Sequence, residues 1–365
     1  SLDAQARRRG VRSGLCAPIE HQGQLKGVLY LENNAAPGVF TPERVDVLRL
    51  LAAQAAISLE NARLYDGLER ALKAQVRLTD AHRRFVPHEF LENLGRGGIA
   101  EVQLGDSVQK VMTTMFSDVR GFTSLVEGMT PEENIHFINT YLRHMEPAIE
   151  RNRGFVDSYL GDGIMALFDE AGSAVRAGVG MLVALRAFND ERRAQGRRDV
   201  GMGIGLSTGL LTLGTIGGEN RIKCGVIGDP VNLAARVESL TKRYATPLLI
   251  TTRTREQFAP GDVFRMRPVD RVVVVGRSTP IDLLEVFDAD PDALRDAKET
   301  TLPRYLEALD HYYGRRFDDA AALLASCREA LPGDRVVALF HERATRHAAA
   351  GVGEAWTGVE ELTQK

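Results

Sequence analysis

"FSDVRGFTSL", Phe116–Leu125, decides how this chain is read. It closes "VMTTMFSD", a run of β-formers that ends on a carboxylate, and turns at once through Arg120, Gly121, Phe122 and Thr123. Residues of this kind favour a strand, and Gly121 frees the backbone for a sharp turn. Asp118 at such a strand end can hold a metal, and the turn's N–H groups can meet phosphate oxygens. The plainer alternative is a strand end with a solvated Asp.

A second carboxylate, Asp162, stands in "VDSYLGDGIMALF", where "YLGDG" reads as a hairpin turn between two strands. "TPEENIHFINTYLRHMEPAIERN", Thr130–Asn152, supplies a helix between the two acids, with Thr130 as N-cap, Pro131 at N1 and Glu133 at N3. A strand, a crossover and a hairpin can bring both turns to one end of a sheet. Two aspartates there can hold a pair of Mg²⁺ or Mn²⁺ ions roughly 4 Å apart. Each Asp taken alone is more often a turn residue. A third segment, "CGVIGDPVNLAARVESL", Cys224–Leu240, reads as strand, turn and helix. Asn232 and Arg236 are four apart and share a helix face, where an amide can orient a ribose and a guanidinium can balance phosphate charge. An isolated Asn and Arg on an amphipathic helix carry no such meaning.

Together, "FSDVRGFT", "YLGDGIMALF" and "GVIGDPVNLAARVE" resemble the class III nucleotide cyclase family, the adenylate and guanylate cyclases, over Asp106–Asp288. The resemblance implies an α+β sandwich of ferredoxin-like, palm type. It implies two divalent metal ions held by Asp118, Asp162 and the carbonyl of Val119. It assigns ribose orientation to Asn232 and transition-state stabilisation to Arg236. Arg120, Gly121, Phe122 and Thr123 become phosphate-binding. The family's sites form between two chains in a head-to-tail dimer, so the acids of one chain are expected to face Asn232 and Arg236 of its partner.

The chain departs from the family where the base is chosen. Ser158 stands where adenylate cyclases carry Lys and guanylate cyclases Glu, and Gly225 takes the second base-reading position. A hydroxyl can donate to N1 of adenine or accept from N1–H of guanine, so Ser158 leaves ATP and GTP open. Lys223, on the same strand face as Gly225, can reach guanine O6 or simply be solvated. Val275 replaces a phosphate-binding Lys, and Arg277 is the candidate substitute. ATP is the first expectation, because adenylate cyclases are commoner among bacterial relatives, and GTP the second. A catalytically weak, nucleotide-binding regulatory module is the reading from another class.

The flanks divide as 1–40, 41–86, 87–105 and 289–365 around a catalytic domain at 106–288. "LKGVLYLENNAAPGVFTPERVDVLRLLAAQAAISLENARLY" resembles the C-terminal end of a GAF domain, a sensor, with only its last strands and helix present. Pro42 opens a helix whose Leu48, Leu51, Leu59, Leu68, Leu72 and Val76 form a stripe too long for one small domain, which suggests a parallel coiled coil with a second copy. "RRFVPHEFLENLG" resembles the linker before many bacterial cyclase domains. The tail suggests one tetratricopeptide-like helical hairpin around Gly314-Arg315-Arg316, ending at Pro332 and Gly333, which must pack on something else.

Composition excludes several alternatives. The chain has 365 residues, 44% hydrophobic and 26% charged, with net charge −3, so no basic field argues for nucleic acid. Cys16, Cys224 and Cys327 form no CxxC pair, which fits a reducing compartment and argues against disulfide and zinc frameworks. "SLDAQARRRG" lacks a signal-peptide core, so a cytoplasmic location is expected. Val200–Gly218 carries no charge, but its Gly and Thr content suggests two core strands joined by a turn rather than a membrane helix. There is no P-loop motif and no HExxH, and Trp356 reads as a packing residue of the tail.

Overall fold

A computed structural model describes residues 10–83, 85–218 and 221–362. The stretch read for a signal peptide falls mainly outside them, as do the last three residues of the tail. The chain divides into two compact units, Ser1–Phe85 and Val86–Lys365.

In the first unit, β1 (Ser13–His21) and β2 (Gln24–Asn33) form an antiparallel pair. They turn on Gln22 and Gly23, both at positive φ. α1 (Pro42–Arg83) follows. Its first half buries Ala52 and Ala56, and Glu60 pairs with Lys26 of β2 at 3.1 Å. Further along, Leu64, Leu68, Leu72 and Val76, spaced by four, stay more than half exposed. An apolar stripe left exposed within its own unit is what a paired helix requires.

The second unit begins with α2 (His88–Asn93), whose Phe90 is buried against Met112 and Leu213, so the predicted linker is docked rather than loose. Then come β3 (Ser107–Val119), α3 (Phe122–Val126), α4 (Pro131–Arg151), β4 (Gly154–Leu160), β5 (Gly163–Phe168) and α5 (Ala171–Ala194). β6 (Met202–Gly218), β7 (Arg221–Ile227), α6 (Asp229–Tyr244), β8 (Leu248–Thr251), α7 (Thr252–Glu256), β9 (Met266–Val273) and β10 (Ile281–Val286) complete the sheet domain. The Thr130 capping box forms as expected: its hydroxyl accepts from Glu133 N, and the Glu133 carboxylate accepts from Thr130 N. One correction concerns Val200–Gly218. The expected turn is absent, and β6 runs unbroken because Ser207, Thr208 and Gly209 pair with Thr114, Thr113 and Met112 of β3.

The strand order is β9-β10-β8-β6-β3-β5-β4, with β7 hydrogen-bonded to the far half of β6. One face is covered by α4 and α5, around Met115, Val119, Ile164, Ile204 and Leu206. α5 is long and apolar enough to cross a membrane, but most of it is buried within the fold, as in a core helix. α6 lies on the opposite face. There a Cβ on Gly205 would meet the backbone N of Glu238 at 2.1 Å, so only glycine lets the helix rest on the strand.

The tail is more than a hairpin. α8 (Asp292–Tyr313) and α9 (Phe317–Ala330) flank the Gly-Arg-Arg turn, and α10 (Arg335–Ala350) follows. The segment then adds β11 (Glu360–Glu361) parallel to β9. Pro332 and Gly333 end α9, but Asp334 starts α10 by accepting from Val337 N at 3.1 Å. Tyr305, Tyr312, Phe317 and Phe340 pack with Leu249, Val269, Val272 and Leu283 of the sheet, which is the support the tail needed. Trp356 joins this cluster, 5.2 Å from Phe317 between ring centres.

Candidate active site

Asp118 is the penultimate residue of β3, and Asp162 sits in the β4–β5 turn, where Gly161 takes φ 70°. Because β5 pairs with β3 through Ser117 and Ile164, the turn lies beside the strand's end. Val119 N donates to Asp162 Oδ2 at 3.1 Å. Loss of solvent, then the facing Asp162 carboxyl, pushes Asp118 up to about 6, against the pull of Arg120. Two carboxyls that resist joint ionisation make a site that a divalent cation relieves. The Val119 side chain is buried and carries no donor atom, so only the Val119 carbonyl could join such a site. Among the described residues no group of three or more His, Cys, Asp or Glu is arranged for a metal. The pair therefore fits ions whose remaining ligands are the carbonyl, water and substrate phosphates, the usual state of Mg²⁺.

Gly121 adopts φ 65°, the left-handed turn its identity suggests. Phe122 sends its ring into the core, 6.1 Å from that of Phe137, so only its backbone can face a phosphate, whereas Thr123 is exposed. Arg120 does not stand free: its Nη1 lies 3.4 Å from Glu238 Oε1 on α6.

Asn232 and Arg236 line a cleft of about 820 Å³ with Ser239 and Arg243 of the same helix, Val275 and Leu362. A Cβ on Gly276, at φ 77°, would sit 3.2 Å from Arg236 Nη2, so the guanidinium rests against the Val275–Arg277 loop. Arg277 itself is held by Asp229, Nη1 to Oδ2 at 3.0 Å, at the start of α6. Neither Asp118 nor Asp162 lines this cleft.

The base-reading positions lie on the remaining strands. A bulge at Asp157 offsets β4 against β5, and Ser158 Oγ donates to Asp157 Oδ2 at 3.0 Å. Burial raises the Asp157 carboxyl, while the Ser158 hydroxyl and nearby Lys223 hold it down. Gly225 pairs with Gly214, and a Cβ there would press on Ile216 Cδ1 at 3.2 Å. Asp157 and Glu238 are the residues that sequence reasoning passed over. The bulge that sets Asp157 beside Ser158 depends on how β4 pairs with β5, which no local pattern signals. Glu238 two positions after Arg236 reads as another polar helix residue.

Residues 106–284 match the family described as the adenylate and guanylate cyclase catalytic domain, and residues 2–59 match the GAF domain. An adenylate cyclase of Anabaena cylindrica is 40% identical over 214 residues, 57% of this chain and 43% of that protein. The terminal-differentiation specific adenylate cyclase of Dictyostelium discoideum is 36% identical over 282 residues, 75% of this chain and 13% of that protein. The chain thus spans less than half the length of these relatives. A bacterial light-regulated adenylyl cyclase shares the fold at TM-score 0.53 and 21% identity, over 63% of this chain and 66% of that one. Through residues 106–284, behind a GAF segment, this chain belongs to the adenylate and guanylate cyclase catalytic domain family.

Proposed function

We propose that the chain cyclises a purine nucleoside triphosphate, ATP before GTP, in a homodimer whose catalytic domains pair head to tail. The 3′-oxygen forms a bond to the α-phosphorus while the bond to pyrophosphate breaks. The observation that carries this reading is the separation of the two halves of the site within one chain. The acids stand at the end of β3, and the cleft of Asn232 and Arg236 contains neither of them. A second copy would bring the acids of one chain to the cleft of the other. Asp118, Asp162 and the Val119 carbonyl would hold two divalent cations, which when bound supply Lewis acidity toward the 3′-hydroxyl and the triphosphate. Asn232 orients the ribose. Arg236, which makes no ion pair of its own among the described residues, balances charge on the phosphate. The turn at Gly121 offers backbone N–H groups to the phosphate oxygens, and Arg277 can support the triphosphate only by leaving Asp229.

ATP is favoured by the relatives, both adenylate cyclases. One observation supports GTP instead. With its proton committed to Asp157, Ser158 offers lone pairs, which suit the N1–H of guanine. Purified protein with Mn²⁺ and either nucleotide should yield a 3′,5′-cyclic product, identified by chromatography. No product from either, with the dimer intact, would favour a nucleotide-binding regulatory module. We also read α1 as the parallel coiled coil that joins the two copies to an upstream sensor.

A further inference from the structure

The Gly-rich run before and within β6, "GMGIG", Gly201–Gly205, is absorbed by no catalytic role above. Gly203 pairs with Asp118 across β6 and β3, so both point to the face that α6 covers. A Cβ on Gly203 would lie 2.2 Å from Arg120 Nη2 and 2.3 Å from Thr241 Oγ1. The missing side chain is therefore the slot that the Arg120 guanidinium fills. That slot is directly cross-strand from Asp118, where neighbouring Cβ positions are about 5 Å apart. Arg120 thus stands between two acids, Asp118 two residues before it and Glu238 of α6. Nη1 reaches Glu238, while Nη2 is buried without a hydrogen-bond partner. Glu238 is itself buried, which pushes its carboxyl up to about 7 despite Arg120.

We propose that Glu238 is a positioning residue that holds Arg120 back from Asp118 and so keeps the Asp118–Asp162 pair negative enough for a divalent cation. The inference rests on the metal-binding reading of those two acids. Without the Glu238 carboxylate, the nearest acid left to Arg120 is Asp118. An Arg120–Asp118 pair would neutralise one of the two charges that attract the metal. Glu238 touches neither metal nor substrate. It acts through Arg120.

The test is Mn²⁺ binding alone, without nucleotide, followed by electron paramagnetic resonance on the full chain. The pH is set about one unit above the Glu238 value, so that its carboxylate is present. Glu238→Gln should weaken Mn²⁺ binding by about tenfold, the order expected when one unit charge moves into contact with a half-solvated carboxylate. Arg120→Gln should bind at least as tightly as wild type, and adding it to Glu238→Gln should restore the lost affinity. A merely structural pair predicts the opposite: each single change weakens binding and the double variant recovers nothing. Unchanged affinity in Glu238→Gln, or weakened affinity in Arg120→Gln, overturns the proposal. Arg120→Gln alone decides it should Glu238→Gln not fold. Wild-type Mn²⁺ binding that survives Asp118→Asn would overturn the metal reading as well, so the two failures are distinguishable.

Discussion

Two clusters of acids in this chain are treated in opposite ways. At the end of β3, Asp118 and Asp162 face each other, with the Val119 N–H on Asp162 and the nearby Arg120 paired to Glu238. Under the C-terminal helices, Glu285 is fully buried, yet Arg267 Nε donates to it at 2.5 Å and Lys298 Nζ at 2.6 Å. Lys298 also reaches Asp290 at 2.6 Å, and Arg267 reaches Asp334 at 2.6 Å. Buried acids survive only with such partners. The contrast separates structure from chemistry. Where charge is matched internally, the cluster docks the tail. Where it is left unmatched, as at Asp118 and Asp162, the proposed metal ions would supply the missing charge.

The contrast breaks most sharply through turnover. Asp118→Asn or Asp162→Asn should cut cyclase activity by at least about 1000-fold while the protein stays folded, because each removes charge the metals need. Near-normal activity in either variant would void the two-metal assignment. The matched cluster should respond in the other sense. Glu285→Gln removes the buried carboxylate that Arg267 and Lys298 share and turns an amide NH2 toward one of them, and should cost about 3–5 kcal/mol of stability, seen as a lower urea midpoint. Activity per folded molecule should be retained, and a stable Glu285→Gln protein would mean the tail is held by its apolar contacts alone.

The smallest effect sharpens the comparison by its sign. The folded state raises Asp118 from the usual carboxylate value near 4 to about 6, so it favours the protonated form. That stability is present below about pH 4 and is lost as pH rises through about 6. Metal-free Asp118→Asn should therefore match wild type in acid and exceed it near neutrality. Solvent screens a carboxyl this exposed, so the gain is about 1 kcal/mol, near 2 °C in Tm. A variant less stable than wild type near neutrality would show that Asp118 is already compensated.

The parts legible in the sequence were those set by neighbours along the chain. Thr130 and Glu133 specify their cap within four residues, and "YLGDG" specifies its turn, so α4 and the β4–β5 hairpin follow directly. Asp118 and Asp162 lie at the strand end and the turn expected of them because each belongs to such a local signal. What escaped depended on distant partners. Val200–Gly218 reads as two strands joined by a turn until β3 lies beside it and supplies an unbroken ladder. Pro332 and Gly333 read as the end of the hairpin, and nothing local marks Asp334 as the cap of a third helix. The partnership of Arg120 with Glu238 needs Gly203 and Gly205 to bring helix and strand together, which no local pattern announces.

The central claim is that one chain carries two half-sites that only a second copy completes. It is tested most directly by mixing two inactive variants. An Asp118→Asn homodimer has two dead sites, and so does an Arg236→Ala homodimer. In a heterodimer of the two, one site collects both lesions and the other none. Co-expressed and purified as verified heterodimers, the pair should recover about half of wild-type activity, if the sites act independently. Heterodimers as inactive as their parents would contradict the shared site and remove the role given to Arg236.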